Sequence, residues 1–216
     1  MDRFPATDED GFTLADAVRL AGVSRETGAR IERYVAALDE WRTKLNLIGP
    51  GEGKHLWRRH VYDSLQLVPL IREEERSIAD LGSGAGFPGI ILACAFPDRD
   101  VALVEKSPKK SEFLRAAVLA AGVRAEVLTQ RAEDPVSKRY DLVTSRALSP
   151  LPKLLGQAYP WLTGVGRSLF VKGRGASSEL ALARESWDFE AIPHESQTNP
   201  EGQILAVSGL RPKKAG

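Results

Sequence analysis

The chain has 216 residues, enough for one generous α/β domain with a small helical extension but not for two full-sized domains. Apolar residues make up 43% and charged residues 27%, a balance that excludes a disordered chain. With 30 Lys and Arg against 29 Asp and Glu, the net charge of +1 carries no global argument for a polyanion partner, so any nucleic-acid surface has to be a local patch.

The single cysteine, Cys94, excludes an internal disulfide and a multi-cysteine zinc site; its apolar neighbours assign it to packing, and no metal is expected. The longest apolar run, Gly89 to Phe96, is too short to cross a bilayer, and Met1-Asp2-Arg3-Phe4-Pro5 lacks the cationic start and apolar stretch of a signal peptide. A cytoplasmic protein with no membrane partner is expected.

In chain order, a short helix is predicted from Thr13 to Ala21. A longer amphipathic one follows from Ser24, a plausible N-cap, to Ile48, because Ile31, Val35, Leu38, Trp41, Leu45 and Ile48 recur every three or four positions. Trp57, Val61, Leu65 and Val68 mark a further helix that ends before Pro69. The texture changes after the charged stretch Arg72 to Arg76, so residues 1–75 are read as a helical extension and 76–216 as the main domain. Short apolar runs beginning at Ser77, Val101, Ala125, Asp141 and Ser168 read as strands, with helical stretches at Ile90–Phe96, Ser111–Ala121 and Pro152–Leu162 between them. Alternating strands and helices imply a parallel sheet covered on both faces. The last two strands, Phe189–Ile192 and Gln203–Val207, are separated only by Pro193 to Gly202, which leaves no room for a crossover helix and implies an antiparallel hairpin. The expected fold is a seven-stranded α/β sheet with a C-terminal hairpin.

Asp80-Leu81-Gly82-Ser83-Gly84-Ala85-Gly86-Phe87-Pro88-Gly89 follows the first strand and opens a helix. Glycines there let the backbone turn sharply and approach a ligand, while free amides at a helix start favour polar or anionic groups. Gly84-Ala85-Gly86-Phe87-Pro88-Gly89 matches the dinucleotide fingerprint, with Glu105 at the distance of a ribose-binding acid. The alternative register, Asp80 followed by Gly82, Gly84 and Gly86, resembles motif I of the class I S-adenosylmethionine methyltransferases. The terminal hairpin and the acidic residues at successive strand ends favour that register. Ligands of open parallel sheets collect beyond the carboxyl ends of the strands, where Glu105 could accept both ribose hydroxyls and Glu133 the adenine amino group, beside the Ala132 backbone. Phe87 is placed against the ligand or in the core.

Several segments narrow the resemblance: Trp41 through Asn46-Leu47, Arg59-His60-Val61-Tyr62-Asp63-Ser64-Leu65, the glycine turn, Glu105-Lys106-Ser107 with Lys109-Lys110 and Phe113-Leu114, Thr144-Ser145-Arg146-Ala147, and Val171-Lys172-Gly173. From about residue 40 to 175 the chain resembles the small-subunit ribosomal RNA methyltransferase G family, also called glucose-inhibited division protein B. Ile48 departs from it, since Thr is expected after Asn-Leu. The resemblance implies methyl transfer from S-adenosylmethionine to nitrogen 7 of a guanine in 16S ribosomal RNA, free or in the small subunit, with S-adenosylhomocysteine as product. It implies that Gly82, Phe87, Ala132, Glu133 and Arg146 bind the cofactor.

Nitrogen 7 carries an in-plane lone pair, so no general base is needed, in keeping with three histidines and no evident catalytic triad. Rate would come from orienting the reactants in a nearly dry pocket. Arg146 and Lys172 are the expected orienting residues. Lys54, His55, Arg58, Arg59 and His60, then Lys109 and Lys110, and Lys172 are candidate RNA contacts; Trp57 fits either base stacking or the buried helical face, and Arg211, Lys213 and Lys214 form a third basic cluster. A monomer is expected. The competing readings are a class I methyltransferase acting on another RNA or a small molecule, a non-catalytic RNA-binding assembly factor, and, more distantly, a nicotinamide dehydrogenase.

Overall fold

The computed structural model describes residues 3–213, so Lys214 of the third basic cluster and the first two residues of the N-terminal segment lie outside it. Seven strands form one sheet: β1 (Ser77–Leu81), β2 (Asp100–Val104), β3 (Glu126–Leu128), β4 (Tyr140–Arg146), β5 (Leu162–Lys172), β6 (Trp187–Glu195) and β7 (Gln203–Pro212). Their order is β3-β2-β1-β4-β5-β7-β6. β1 to β5 run parallel, and β7 lies antiparallel between β5 and β6. The order reverses between β2-β1 and β1-β4, the place where an open parallel sheet leaves a crevice for ligands.

Alternate residues of each strand feed two separate cores. Ile78, Leu103, Leu142, Leu169 and Ile204 face a cluster completed by α2 (Arg25–Trp41), α4 (Gly89–Ala95) and α5 (Pro108–Ala121). Ala79, Val104, Val143, Phe170 and Leu205 face the other, closed by α6 (Leu151–Ala158) and α7 (Ala176–Ser186). Cys94 is buried in the first cluster, and burial pushes its thiol up to about 12. Among the described residues no helix is long and apolar enough to cross a membrane.

The helices differ from expectation in three ways. α1 (Leu14–Ala21) has Thr13 and Asp16 in a reciprocal capping box, and α2 is capped by Ser24, both where the sequence points. α2, however, stops at Trp41: the amides of Lys44 and Leu45 both fold back onto the Trp41 carbonyl, so Leu45 and Ile48 pack on the core from a turn rather than a helix. Apolar spacing records burial, and burial continued after the helix had ended. The segment around Trp57 is a π-helical stretch, Trp57–Tyr62, leading into α3 (Asp63–Leu65). Its start is held by Asp8, whose carboxylate accepts from the amides of Trp57 and Arg58. α7 was not foreseen.

Candidate active site

The glycine turn leaves β1 with positive φ angles at Gly82 (72°), Gly84 (55°) and Gly86 (99°), a region that side-chain-bearing residues rarely adopt. The amides of Gly82 and Ser83 both donate to the Val104 carbonyl, which ties the turn to the end of β2. A side chain at Gly84 would meet nothing nearer than the Gly82 carbonyl at 3.7 Å, so this is the glycine whose bare backbone faces open space.

Glu105, 6% exposed at the end of β2, accepts from the Gly84 amide (3.0 Å) and the Ser107 amide (2.8 Å) with its two carboxylate oxygens. Each oxygen keeps a lone pair for a further donor. Glu105 therefore shapes the turn as well as lining the groove beyond it. That groove, of about 290 Å³, is walled by Gly82, Gly84, Glu105, Ala132, Glu133 and Arg146. The loop carrying Ala132 is fixed by Trp161, whose indole donates to the Ala132 carbonyl at 2.8 Å. Glu133 is exposed and accepts from Gln157 at 2.6 Å; that bond holds its carboxyl below the usual carboxylate range. Open glycine backbone, a carboxylate with spare acceptor capacity and the Ala132-Glu133 loop fit a nucleoside with an attached amino acid.

Asp80, Gly86 and Phe87 support this groove from behind and do not line it. Asp80 is fully buried, accepting from the Gly89 amide (3.2 Å) and the Thr144 hydroxyl (3.2 Å). Burial pushes its carboxyl up to about 6, against the pull of those hydrogen bonds. Between 3.8 and about 6 the folded state holds a proton that the unfolded state has released, so Asp80 loses stability for the fold as pH rises through that window, about 3 kcal/mol once ionised. Asp80→Asn should therefore gain stability over the wild type between pH 4 and pH 7. Urea unfolding at the two pH values measures it; an identical difference at both would refute the assignment.

Arg146, at the end of β4, connects the groove to a second pocket of about 310 Å³, because it and Ala147 line both. Its guanidinium donates to the Arg59 carbonyl (3.0 Å), to Asp63 (3.4 Å) and to the ring nitrogen Nδ1 of His60 (2.9 Å), while lying 5.3 Å from the centre of the buried Phe87 ring. Burial first, and then the charges of Arg146 and Arg59, push His60 down to about 3. A neutral ring accepting at Nδ1 carries its proton on Nε2, where it meets the Glu52 carboxylate at 3.2 Å. Ala147 has φ 54°, the one positive value at a non-glycine among the described residues, immediately where the chain turns away from both pockets. The neighbouring pair His60 and Asp63 thus hold Arg146 rather than each other.

Lys172 also lines the second pocket, but its ammonium is committed to Glu179 (2.7 Å) and the Ser149 carbonyl (3.0 Å). The basic cluster before it is largely neutralised: Lys54 pairs with Glu9 (2.8 Å), His55 approaches the same carboxylate (3.8 Å), and Arg58 pairs with Asp10 (2.6 Å). Trp57 is buried and donates to the Pro5 carbonyl, which corrects the stacking alternative in favour of the core. Arg59, Lys106 and Lys109 are exposed, Lys110 reaches the groove, and none of the four side chains has an ion-pair partner among the described residues. Glu52, Glu179, Thr198 and Asn199 line the second pocket and were not singled out from the sequence. They come from a short 3-10 helix (Glu52–His55), an unforeseen helix and the final hairpin turn, and no local motif marks them.

The family model described as rRNA small subunit methyltransferase G matches residues 28–206. A relative from Bradyrhizobium sp. (strain ORS 278), named ribosomal RNA small subunit methyltransferase G, is 44% identical over 208 residues, covering 94% of this chain and 93% of its own length. One of the same name from Paramagnetospirillum magneticum is 44% identical over 185 residues, 86% and 90% of the two chains. Among solved structures, ribosomal protein L11 methylase from Lactobacillus delbrueckii subsp. bulgaricus superposes with a TM-score of 0.56 at 18% identity, covering 69% of this chain and 78% of that one. M. jannaschii TYW2 in complex with AdoMet gives 0.53 at 15% identity, covering 70% and 74%. These two show a shared fold.

Proposed function

Because the chain belongs to the rRNA small subunit methyltransferase G family, we propose that the Arg146-linked pair of pockets transfers a methyl group to nitrogen 7 of a guanine in 16S ribosomal RNA. S-adenosylmethionine, when bound, supplies the electrophilic methyl group. Gly82, Gly84, Glu105 and the Ala132-Glu133 backbone would hold it in the groove at the β1/β4 switch point. The guanine would enter the second pocket, where Arg146 offers a cation, Lys172 would reach a base only by leaving Glu179, and Asp63, Thr198 and Asn199 offer acceptors for a base edge. The observation that carries this reading is the single guanidinium bordering both pockets.

No step asks a residue to remove a proton, since the attacking nitrogen has a free lone pair. The residues orient and exclude water. His60, neutral and bonded to Glu52, fixes the plane of the Arg146 fork, and Phe87 supports its face. Arg59, Lys106 and Lys110 supply the unpaired cations at the two openings, with Lys109 beside them on α5, and RNA phosphates are proposed to lie there. The cluster at Lys54, His55 and Arg58 would contribute less, because its charge is already matched. Residues 1–75 act as the helical extension that brings Arg59, His60 and Asp63 to the sheet, and the protein acts as a monomer.

The test is to incubate the protein with methyl-labelled donor and small ribosomal subunits from cells lacking the gene, then map the label by nuclease digestion and mass spectrometry. One 7-methylguanine in 16S RNA, lost with Glu105→Ala, is the expected result. Donor binding without label in naked 16S RNA, assembly intermediates or subunits would overturn the substrate while keeping the groove.

A further inference from the structure

Of the buried residues of α6, Leu151, Leu154, Leu155 and Ala158 are apolar and Gln157 is not. Gln157 is 5% exposed and lines the donor groove. A buried amide costs stability unless both of its ends are bonded, and here both are. Its Nε2 donates to Oε1 of Glu133 at 2.6 Å, and its Oε1 accepts from the Ser149 hydroxyl at 2.6 Å. Chemistry sets that direction: an ionised carboxylate only accepts, so the amide must turn its nitrogen to Glu133, and the oxygen left over takes the hydroxyl proton.

Glu133 needs such a support, because its side chain is 49% exposed and a glutamate in water is free to change rotamer. Gln157 fixes it by one oxygen only. Lys153 approaches that same Oε1 at 3.7 Å, so Oε2 has no side-chain partner among the described residues. The Gln157 bond, ahead of the residue's own backbone amide, holds the carboxyl below the usual carboxylate range, so at neutral pH Oε2 is purely an acceptor on a side chain that lines the groove. Behind Gln157 the support continues. The Ser149 carbonyl accepts from Lys172 (3.0 Å), which pairs with Glu179 (2.7 Å), and Glu179 takes the Leu151 amide (2.6 Å) at the start of α6. Gln157 is thus held from the wall of the second pocket while it holds Glu133 in the first.

We propose that Gln157 is a positioning residue that sets the base specificity of the donor: it holds Glu133 with one carboxylate oxygen committed and the other left to accept from the exocyclic amino group of adenine. The inference rests on the reading that the groove holds S-adenosylmethionine, and it adds which residue makes the adenine end selective. An acceptor in that place bonds an amino group and repels the carbonyl oxygen that stands there in hypoxanthine. Without Gln157 the carboxylate is released to solvent and the selection goes with it, while Glu105 and the glycine turn still hold the rest of the molecule.

The experiment measures, by calorimetry on the full chain, the binding of S-adenosylhomocysteine and of its deaminated form, S-inosylhomocysteine. Wild type should prefer the adenine compound about tenfold or more, the worth of one hydrogen bond to a charged group. Gln157→Met, similar in length but without the amide, should bring the two affinities to within about threefold of each other. A merely structural loss would weaken both compounds alike and leave their ratio unchanged. Gln157→Glu, which sets a second carboxylate against Glu133, should erase the preference too, and it serves if the methionine variant does not fold. In a Glu133→Gln chain the further change Gln157→Met should alter the ratio no more, because Gln157 acts through Glu133. A ratio kept in a folded Gln157 variant, a ratio lowered further in the Glu133→Gln chain, or no preference in wild type would overturn the proposal and leave the groove standing. Binding of neither compound by wild type would overturn the groove reading and the proposal with it.

Discussion

Arg146→Ala is expected to lower the methyl-transfer rate about 100-fold or more while leaving donor affinity within a few-fold of the wild type. The magnitude is that of removing one preorganised donor from a water-poor site. Alanine would remove the one guanidinium that borders both pockets and would strand its partners: the Nδ1 of His60 would lose its donor, and Asp63 would keep only Gln66 and Thr198. Arg146→Lys should recover little, since one ammonium cannot span the Arg59 carbonyl, Asp63 and His60 as a planar fork does. Single-turnover methylation of 16S RNA, with donor binding by calorimetry on the same samples, separates the two effects. A rate within threefold of the wild type would sink the orienting role.

Gly89→Ala should cost the fold about 3 kcal/mol, which for a domain of this size lowers the melting temperature by about 6–12 °C. The added Cβ would lie 2.3 Å from a methyl of Leu103 and 2.7 Å from a carboxylate oxygen of Asp80. Both neighbours are fully buried, and Asp80 already holds the Gly89 amide, so neither can yield without lifting α4 from the sheet. The same substitution at Gly173, which has no atom within 4 Å of the added carbon, is the control and should be neutral within about 0.5 kcal/mol. Thermal melts of both variants decide it; equal shifts would show that the contacts of the added carbon with Leu103 and Asp80 cost the fold nothing.

The glycine turn was legible because its conformation is a demand on single residues. Positive φ at Gly82, Gly84 and Gly86 strongly favours glycine, and the strand before and helix after the turn have their own periodicities. The two-faced sheet was legible for the same reason, since Ile78 and Ala79, or Leu169 and Phe170, face opposite cores by the geometry of a strand. The end of α2 was not, because Leu45 and Ile48 are packed on the core from a turn and their spacing carries no sign of the change. α7 was missed because its polar sequence buries only Ala176 and Ala183.

What the sequence determined by itself is local and repetitive: the strands, their faces, the turn that approaches the donor, and the carboxylate at the end of β2. What only the tertiary structure decided is which charges remain free. Lys54 and Glu9 are 45 positions apart, Arg146 and Asp63 83, and Lys172 and Glu179 meet across a helix start, so a basic run read along the chain says nothing about the acids that fold onto it. The physical reason is range: dihedral preference and side-chain alternation act within a few residues, whereas charge pairing and desolvation are settled by whatever the completed fold brings within about 4 Å.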